Sequence, residues 1–347
     1  MVNRREFLQA AAVAGVGVAT ADLAHAAPTP AVPTKVQIPE SEKITITVIT
    51  DNLSDLGRLD YKIAKRPVMT NSPLDAAVHA EHGLSYYVET VVDGKAHACL
   101  FDFASDPRGV LKNLDLLKIE LQRVEAFCMS HDHWDHQAAM VEVLNAKKQE
   151  FGKNIPFYIG EQYFAGTYGK RQNGSVLKLN LLKREEIEAL GFVRIVEVKG
   201  PTSIIPGAYF PGRIERTTDY EILNPRFVAK HGNEYVQENF PGEQALIMNA
   251  KGKGLVVLSG CAHRGIVNAV KTAQMVTGIE KVHVVIGGCH LINAKQEQIL
   301  KTVADIRAVN PDYIVPTHCT GYEAISTFAR EMPDRFILNT AGTRYVI

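Results

Sequence analysis

No charge excess of either sign marks this chain: its 347 residues carry 38 Lys+Arg against 38 Asp+Glu. A nucleic-acid binder draws much of its affinity from a basic face laid on phosphates, so no nucleic-acid partner is expected. Cysteine is scarce. The five present (Cys99, Cys128, Cys261, Cys289, Cys319) are odd in number and include no CxxC pair, which argues against a disulfide framework. They read as small buried hydrophobes. Cys261, Cys289 and Cys319 have soft-ligand or redox roles as the alternative, because each stands in a loop within two residues of a histidine. The uncharged apolar run Phe7 to Ala19 has about 13 residues where a bilayer span needs roughly 20, so no stable membrane anchor is expected. With 26 Gly and 16 Pro the composition is neither collagen-like nor low in complexity. A globular chain of this size buries enough surface to fold without a staple, so a metal site in it would imply chemistry.

The N-terminus reads as an address. Asn3-Arg4-Arg5, the apolar run and Ala24-His25-Ala26 form the three parts of an export signal, cut after Ala26. Arg4-Arg5-Glu6-Phe7-Leu8 resembles a twin-arginine signal, which implies the twin-arginine translocation machinery as a partner and a periplasmic or otherwise exported destination. Residues 27–43 read as a Pro-rich linker and 44–347 as the folded domain.

Within that domain, β-branched alternation predicts strands at 44–50, 85–92 and 96–103, the last two joined by Asp93-Gly94. Further strands are expected at 124–130, 155–159 and 193–198, with helices over 137–150 and 183–190. From 254 onward strands (254–259, 283–286, 313–315) alternate with helices (266–275, 295–309, 322–330), the pattern of an α/β layered domain. The polar stretch 213–243 interrupts this rhythm and reads as a candidate substrate lid with a hairpin around His231-Gly232.

Twelve histidines are the unusual count, and Ser130-His131-Asp132-His133-Trp134-Asp135-His136 gathers three of them. In an extended loop His131 and His133 face one ion, while Asp135 and His136 at a helix start turn toward a second. A strand-to-helix loop reading HxHxDH resembles the metallo-β-lactamase superfamily. That resemblance implies a four-layer αβ/βα sandwich with one or two metal ions at the sheet edge. It also implies His263 as the third histidine of the first ion, His318 as the histidine completing the second, and Asp102 orienting the ligand loop from behind.

The likeness narrows with Thr50-Asp51-Asn52, Glu81-His82-Gly83-Leu84-Ser85, Gly260-Cys261-Ala262-His263, Gly287-Gly288-Cys289-His290-Leu291 and His318-Cys319-Thr320-Gly321. Together these resemble the branch named for 7,8-dihydropterin-6-methyl-4-(β-D-ribofuranosyl)aminobenzene 5′-phosphate synthase. Three departures stand out. Asp132 replaces a Gly between the first two histidines and adds a carboxylate beside the metals. Asp102 is followed by Phe103-Ala104 in place of Thr-Gly. The bridging Asp of many superfamily hydrolases has no counterpart, its loop reading Gly288-Cys289-His290.

Imidazole and carboxylate ligands suit zinc, with iron or manganese also compatible. A bound metal acidifies its water to about pH 7 and polarises a carbonyl or phosphoryl oxygen, so hydrolysis needs no protein nucleophile. The expected function is therefore an exported, dinuclear, metal-dependent hydrolase of a small-molecule ester, phosphoester or lactam-like bond. Asp135 is ligand and proton acceptor, His290 or His82 the proton donor, and Arg216 and Asn52 the substrate contacts. A transferase of the synthase type and a non-catalytic metal-binding module are the alternatives.

Overall fold

The computed structural model describes residues 35–67 and 77–347, so the export-signal reading at 1–26 lies outside the described residues. Strand alternation builds the core. In Lys43–Thr50 the side chains of Ile44, Ile46 and Val48 point to one face, and Ile49 points to the other. The first set meets Leu246, Met248, Val256, Leu258, Val284 and Ile286 from a second sheet, making a sheet-on-sheet core.

The eight-stranded sheet runs Val193–Val198, Ile155–Gly160, Val124–Cys128, Lys95–Phe103, Ser85–Val92, Lys43–Thr50, Arg344–Val346, Ala64–Lys65. The seven-stranded sheet runs Thr202–Ile205, Ala208–Phe210, Ala245–Ala250, Gly254–Ser259, Val282–Gly288, Tyr313–Thr317, with Glu40–Ser41 beside Ala245–Ala250. Helices Pro107–Leu116, Met140–Ala146 and Arg184–Glu188 bury Val110, Leu114, Val143, Leu144 and Ile187 on the outer face of the first sheet. Helices Ile266–Thr277, Gln296–Val309 and Tyr322–Glu331 bury Val267, Val270, Ile299, Val303 and Phe328 on the second. The result is the four-layer αβ/βα sandwich expected from the sequence.

Several elements differ from that expectation. The helix read over 137–150 is broken into Trp134–Gln137 and Met140–Ala146. The hairpin expected around His231-Gly232 does form, as Phe227–His231 and Glu234–Gln237, but it joins two strands the sequence did not announce, Thr167–Lys170 and Val176–Lys178, in a small four-stranded sheet. The domain also opens before Ile44, since Val36 N–H donates to Val276 O, Ile38 is buried, and Glu40–Ser41 pairs with Asn249 and Ala250.

Strand direction positions the site. Val124–Cys128 is parallel to Lys95–Phe103, and Gly254–Ser259, Val282–Gly288 and Tyr313–Thr317 are mutually parallel. Their C-terminal ends deliver the loops carrying His131 to His136, His263, His290 and His318. Ligands of open α/β sheets gather at such strand ends.

Candidate metal centre

Asp102 sets the histidine loop. Fully buried at the end of Lys95–Phe103, its carboxylate accepts hydrogen bonds from Ser130 N (2.7 Å), Ser130 Oγ (2.7 Å) and His136 Nδ1 (2.7 Å). Ser130 Oγ in turn lies 2.9 Å from His131 Nδ1, which leaves His131 Nε2 aimed inward, 3.2 Å from His263 Nε2. The His133 ring stands 4.6 Å from both of these rings, and its Nε2 is buried without a partner. One nitrogen from each of the three lies within 4.8 Å of the others. Tetrahedral ligands about 2.0–2.1 Å from one ion stand roughly 3.3 Å apart, so the His131–His263 spacing fits a shared metal. Burial, reinforced by neighbouring imidazoles, holds His131 and His263 well below the ordinary histidine range, and burial brings His133 down to about 3. All three are thus neutral near pH 7, the form that binds a metal.

A second group adjoins the first. Asp135 Oδ2 is 3.2 Å from His318 Nε2, 3.4 Å from His82 Nε2 and 3.9 Å from His136 Nε2. Burial alone raises this carboxyl, but the charges of His136 and His318 outweigh it and hold Asp135 well below its usual range. Burial disfavours charge on His318; the hydrogen bond to Asp135 and the charges of Cys319, Asp135 and Asp51 overcome this and raise it to about 9. His318 Nδ1 faces Asp51 Oδ1 at 3.8 Å, and neither atom has a hydrogen-bond partner. His82 is half-exposed and stacks on the His318 ring.

Other sequence-predicted residues fall in different places. Asp132 does not join the metal ligands: its buried carboxylate accepts from Thr167 N (3.0 Å), Thr167 Oγ1 (2.8 Å) and Asn180 Nδ2 (3.2 Å), and burial pushes it up to about 6. The alternation that turns His131 and His133 inward turns the residue between them outward. Asn52 donates to His318 O (3.0 Å), which makes it a brace for that loop. Arg216 is exposed and donates to Glu221 O (3.2 Å). His290 adopts a left-handed backbone (φ 42°), with its ring 4.1 Å from His263 and both ring nitrogens buried without partners. It lines two cavities. One of about 420 Å³ includes Lys295 and Lys301, and one of about 310 Å³ includes Lys170, Arg171, Arg226 and Phe227.

Sequence reasoning missed two supports. Glu243 accepts from His263 N (2.6 Å) and Arg264 N (2.7 Å), fixing the His263 loop, and burial raises its carboxyl to about 7. Asp51 was visible within Thr50-Asp51-Asn52, but nothing in the sequence pairs it with a residue 267 positions away. Cys289 Sγ turns back to Gly287 O, consistent with packing, whereas Cys261 and Cys319 point into the cluster. Orphaned imidazole nitrogens, neutral histidines and converging carboxylates fit a bound transition metal. Among the described residues no helix is long and apolar enough to cross a membrane.

The chain is similar to known proteins over most of its length. The chain is 31% identical over 303 residues to the 7,8-dihydropterin-6-methyl-4-(β-D-ribofuranosyl)-aminobenzene-5′-phosphate synthase of Methanocaldococcus jannaschii, covering 84% of this chain and 98% of that one. An uncharacterised protein of the same organism is 25% identical over 260 residues, covering 72% and 88%. A solved structure described as a metal-dependent hydrolase of the β-lactamase superfamily superposes with a TM-score of 0.66 at 23% identity, covering 87% and 98%. No family model matches the chain.

Proposed function

Because the chain belongs to the metallo-β-lactamase superfamily, in the branch of the dihydropterin and ribofuranosylaminobenzene phosphate synthase, we propose that it is an exported metal-dependent hydrolase of a small ester, phosphoester or lactam-like bond. The observation that carries this reading is the convergence of His131, His133 and His263 with Asp135, His136 and His318 where His290 meets two cavities. Those six residues would hold one or two ions, zinc by default, with iron or manganese sharing the ligand preference. Bound there, the metal supplies Lewis acidity toward a carbonyl or phosphoryl oxygen and an acidified water. The chain supplies the proton path. Asp135, kept ionised by its imidazole neighbours, accepts a proton, and half-exposed His82 at 3.4 Å passes it to solvent. His290, which lines both cavities, protonates the leaving group. Lys170, Arg171 and Arg226 attract an anionic part of the substrate, a task for which Arg216 is poorly placed because it lines neither cavity.

A second reading, transfer chemistry of the synthase type, is favoured by the relative matched over 98% of its length. A panel of phosphodiester, phosphomonoester, lactone, thioester and β-lactam substrates, run beside a pterin condensation assay, separates the two. Turnover of a panel substrate without condensation is expected. Condensation without hydrolysis overturns the hydrolase, and metal retention without any turnover leaves a binding module. Export is tested by Arg4→Lys with Arg5→Lys, which should trap the protein in the cytoplasm on fractionation; unchanged export contradicts a twin-arginine route.

A further inference from the structure

A dinuclear centre of this fold lacks one ligand here. Where many superfamily hydrolases carry a bridging Asp, this chain reads Gly288-Cys289-His290, and Cys289 does not substitute, because its sulfur points to Gly287 O at 3.9 Å. Another sulfur stands between the two groups. Cys261 is 2% exposed, with Sγ 3.2 Å from His136 Nε2 and 3.1 Å from Cys319 Sγ. Among the described residues its sulfur falls within 4.8 Å ligand sets with His131 and His136, with His318 and Cys319, and with His263 and His290. No other ligand atom is shared by three sets.

Two glycines make this placement possible. A Cβ at Gly260 would sit 2.1 Å from Ser130 Oγ. One at Gly288 would sit 2.4 Å from Gly260 O and 2.8 Å from Cys319 Sγ. Only bare backbone lets the three loops close until the sulfur of Cys261 reaches both histidine groups. Apolar packing of a cysteine needs no such approach to imidazole nitrogens.

We propose that Cys261 is a metal-ligating thiolate shared by the two histidine groups, standing where the bridging carboxylate is missing. Its proton leaves to solvent on metal binding, as ligation by cysteine requires. Cys319 donates a hydrogen bond to the Cys261 sulfur and acts as a positioning residue. A thiolate at this point biases the centre toward zinc, iron or cobalt and away from manganese. The proposal rests on the metal reading above and not on which bond is cleaved.

Cobalt(II)-substituted protein tests it by absorption. The wild type should show an intense near-ultraviolet sulfur-to-cobalt charge-transfer band. Cys261→Ser should lose that band while binding cobalt at least about tenfold more weakly, and Cys289→Ser and Cys319→Ser should keep it. Absence of the band in cobalt-loaded wild type, its persistence in Cys261→Ser, or its loss only in Cys319→Ser overturns the assignment. X-ray absorption of the zinc-loaded wild type, which needs no variant, should show a sulfur neighbour at about 2.3 Å; a shell of nitrogen and oxygen alone overturns it too. Failure to bind any metal would instead sink the metal centre itself.

Discussion

Asp102 governs the site from behind the ligands. It accepts three hydrogen bonds in full burial, and its loss leaves Ser130 N–H, Ser130 Oγ and His136 Nδ1 without their partner. Asp102→Ala should therefore destabilise the protein by about 3–5 kcal/mol and weaken metal binding roughly 10–100-fold, read from chemical unfolding and metal titration. The two histidine groups should also differ in pH response. His133 is held at about 3, and burial keeps His131 and His263 low as well, so none of these three imidazoles has a proton to displace at the first group between about pH 7 and about pH 5, and only the proposed Cys261 thiol does. His318 carries a proton until about 9 in the metal-free protein, so binding at the second group displaces one proton more than at the first, and its affinity should rise about tenfold per pH unit more steeply up to that point. Metal titrations across pH showing one common midpoint near 6.5 would contradict this. The sequence displayed the histidines because their spacing is local. It did not display Asp51, Glu243 or the true direction of Asp132, because each is defined by a partner brought near only by folding.

At the scale of elements, the small four-stranded sheet is a wall of the site. Phe227, opening the strand Phe227–His231, lies 4.7 Å from the His133 ring, 5.1 Å from His263 and 5.5 Å from His290. Phe227→Ala should raise KM several-fold or more in steady-state kinetics while leaving metal content unchanged; loss of metal would mean that the hairpin holds ligands and does not merely cover them. The closing strand Arg344–Val346 inserts between Lys43–Thr50 and Ala64–Lys65 and buries Tyr345, whose hydroxyl donates to Asn339 Oδ1 at 2.8 Å. Tyr345→Ala should cost about 3–5 kcal/mol in an unfolding titration, comparable to other large-to-small core changes. Buried strands such as Gly254–Ser259 were legible because both of their faces are apolar. Glu234–Gln237, exposed along its whole length, carries no apolar period to read. The helix expected over 137–150 breaks at Ala138-Ala139, where Ala139 N–H leaves the helical ladder to donate to Ala104 O.

The whole molecule is electrically neutral, so attraction for an anionic substrate has to come from local charge: the metal centre and the cavity residues Lys170, Arg171 and Arg226. Arg226→Ala with Arg171→Ala should raise KM for a phosphorylated substrate at low salt and leave that for a neutral ester unchanged. The layered fold and its strand-end loops were legible because one periodic rhythm runs through the last third of the chain. The sequence set Cys261, Cys289 and Cys319 beside histidines but did not single out Cys261, because a sulfur's neighbours depend on glycine contacts between three distant loops. All of the chemistry argued for this chain depends on histidines converging to hold a metal. Elemental analysis of purified protein beside the His131→Ala, His133→Ala double variant should find one to two equivalents of a transition metal in the first and almost none in the second, with the variant still folded by circular dichroism. Equal metal content in the two proteins would contradict it.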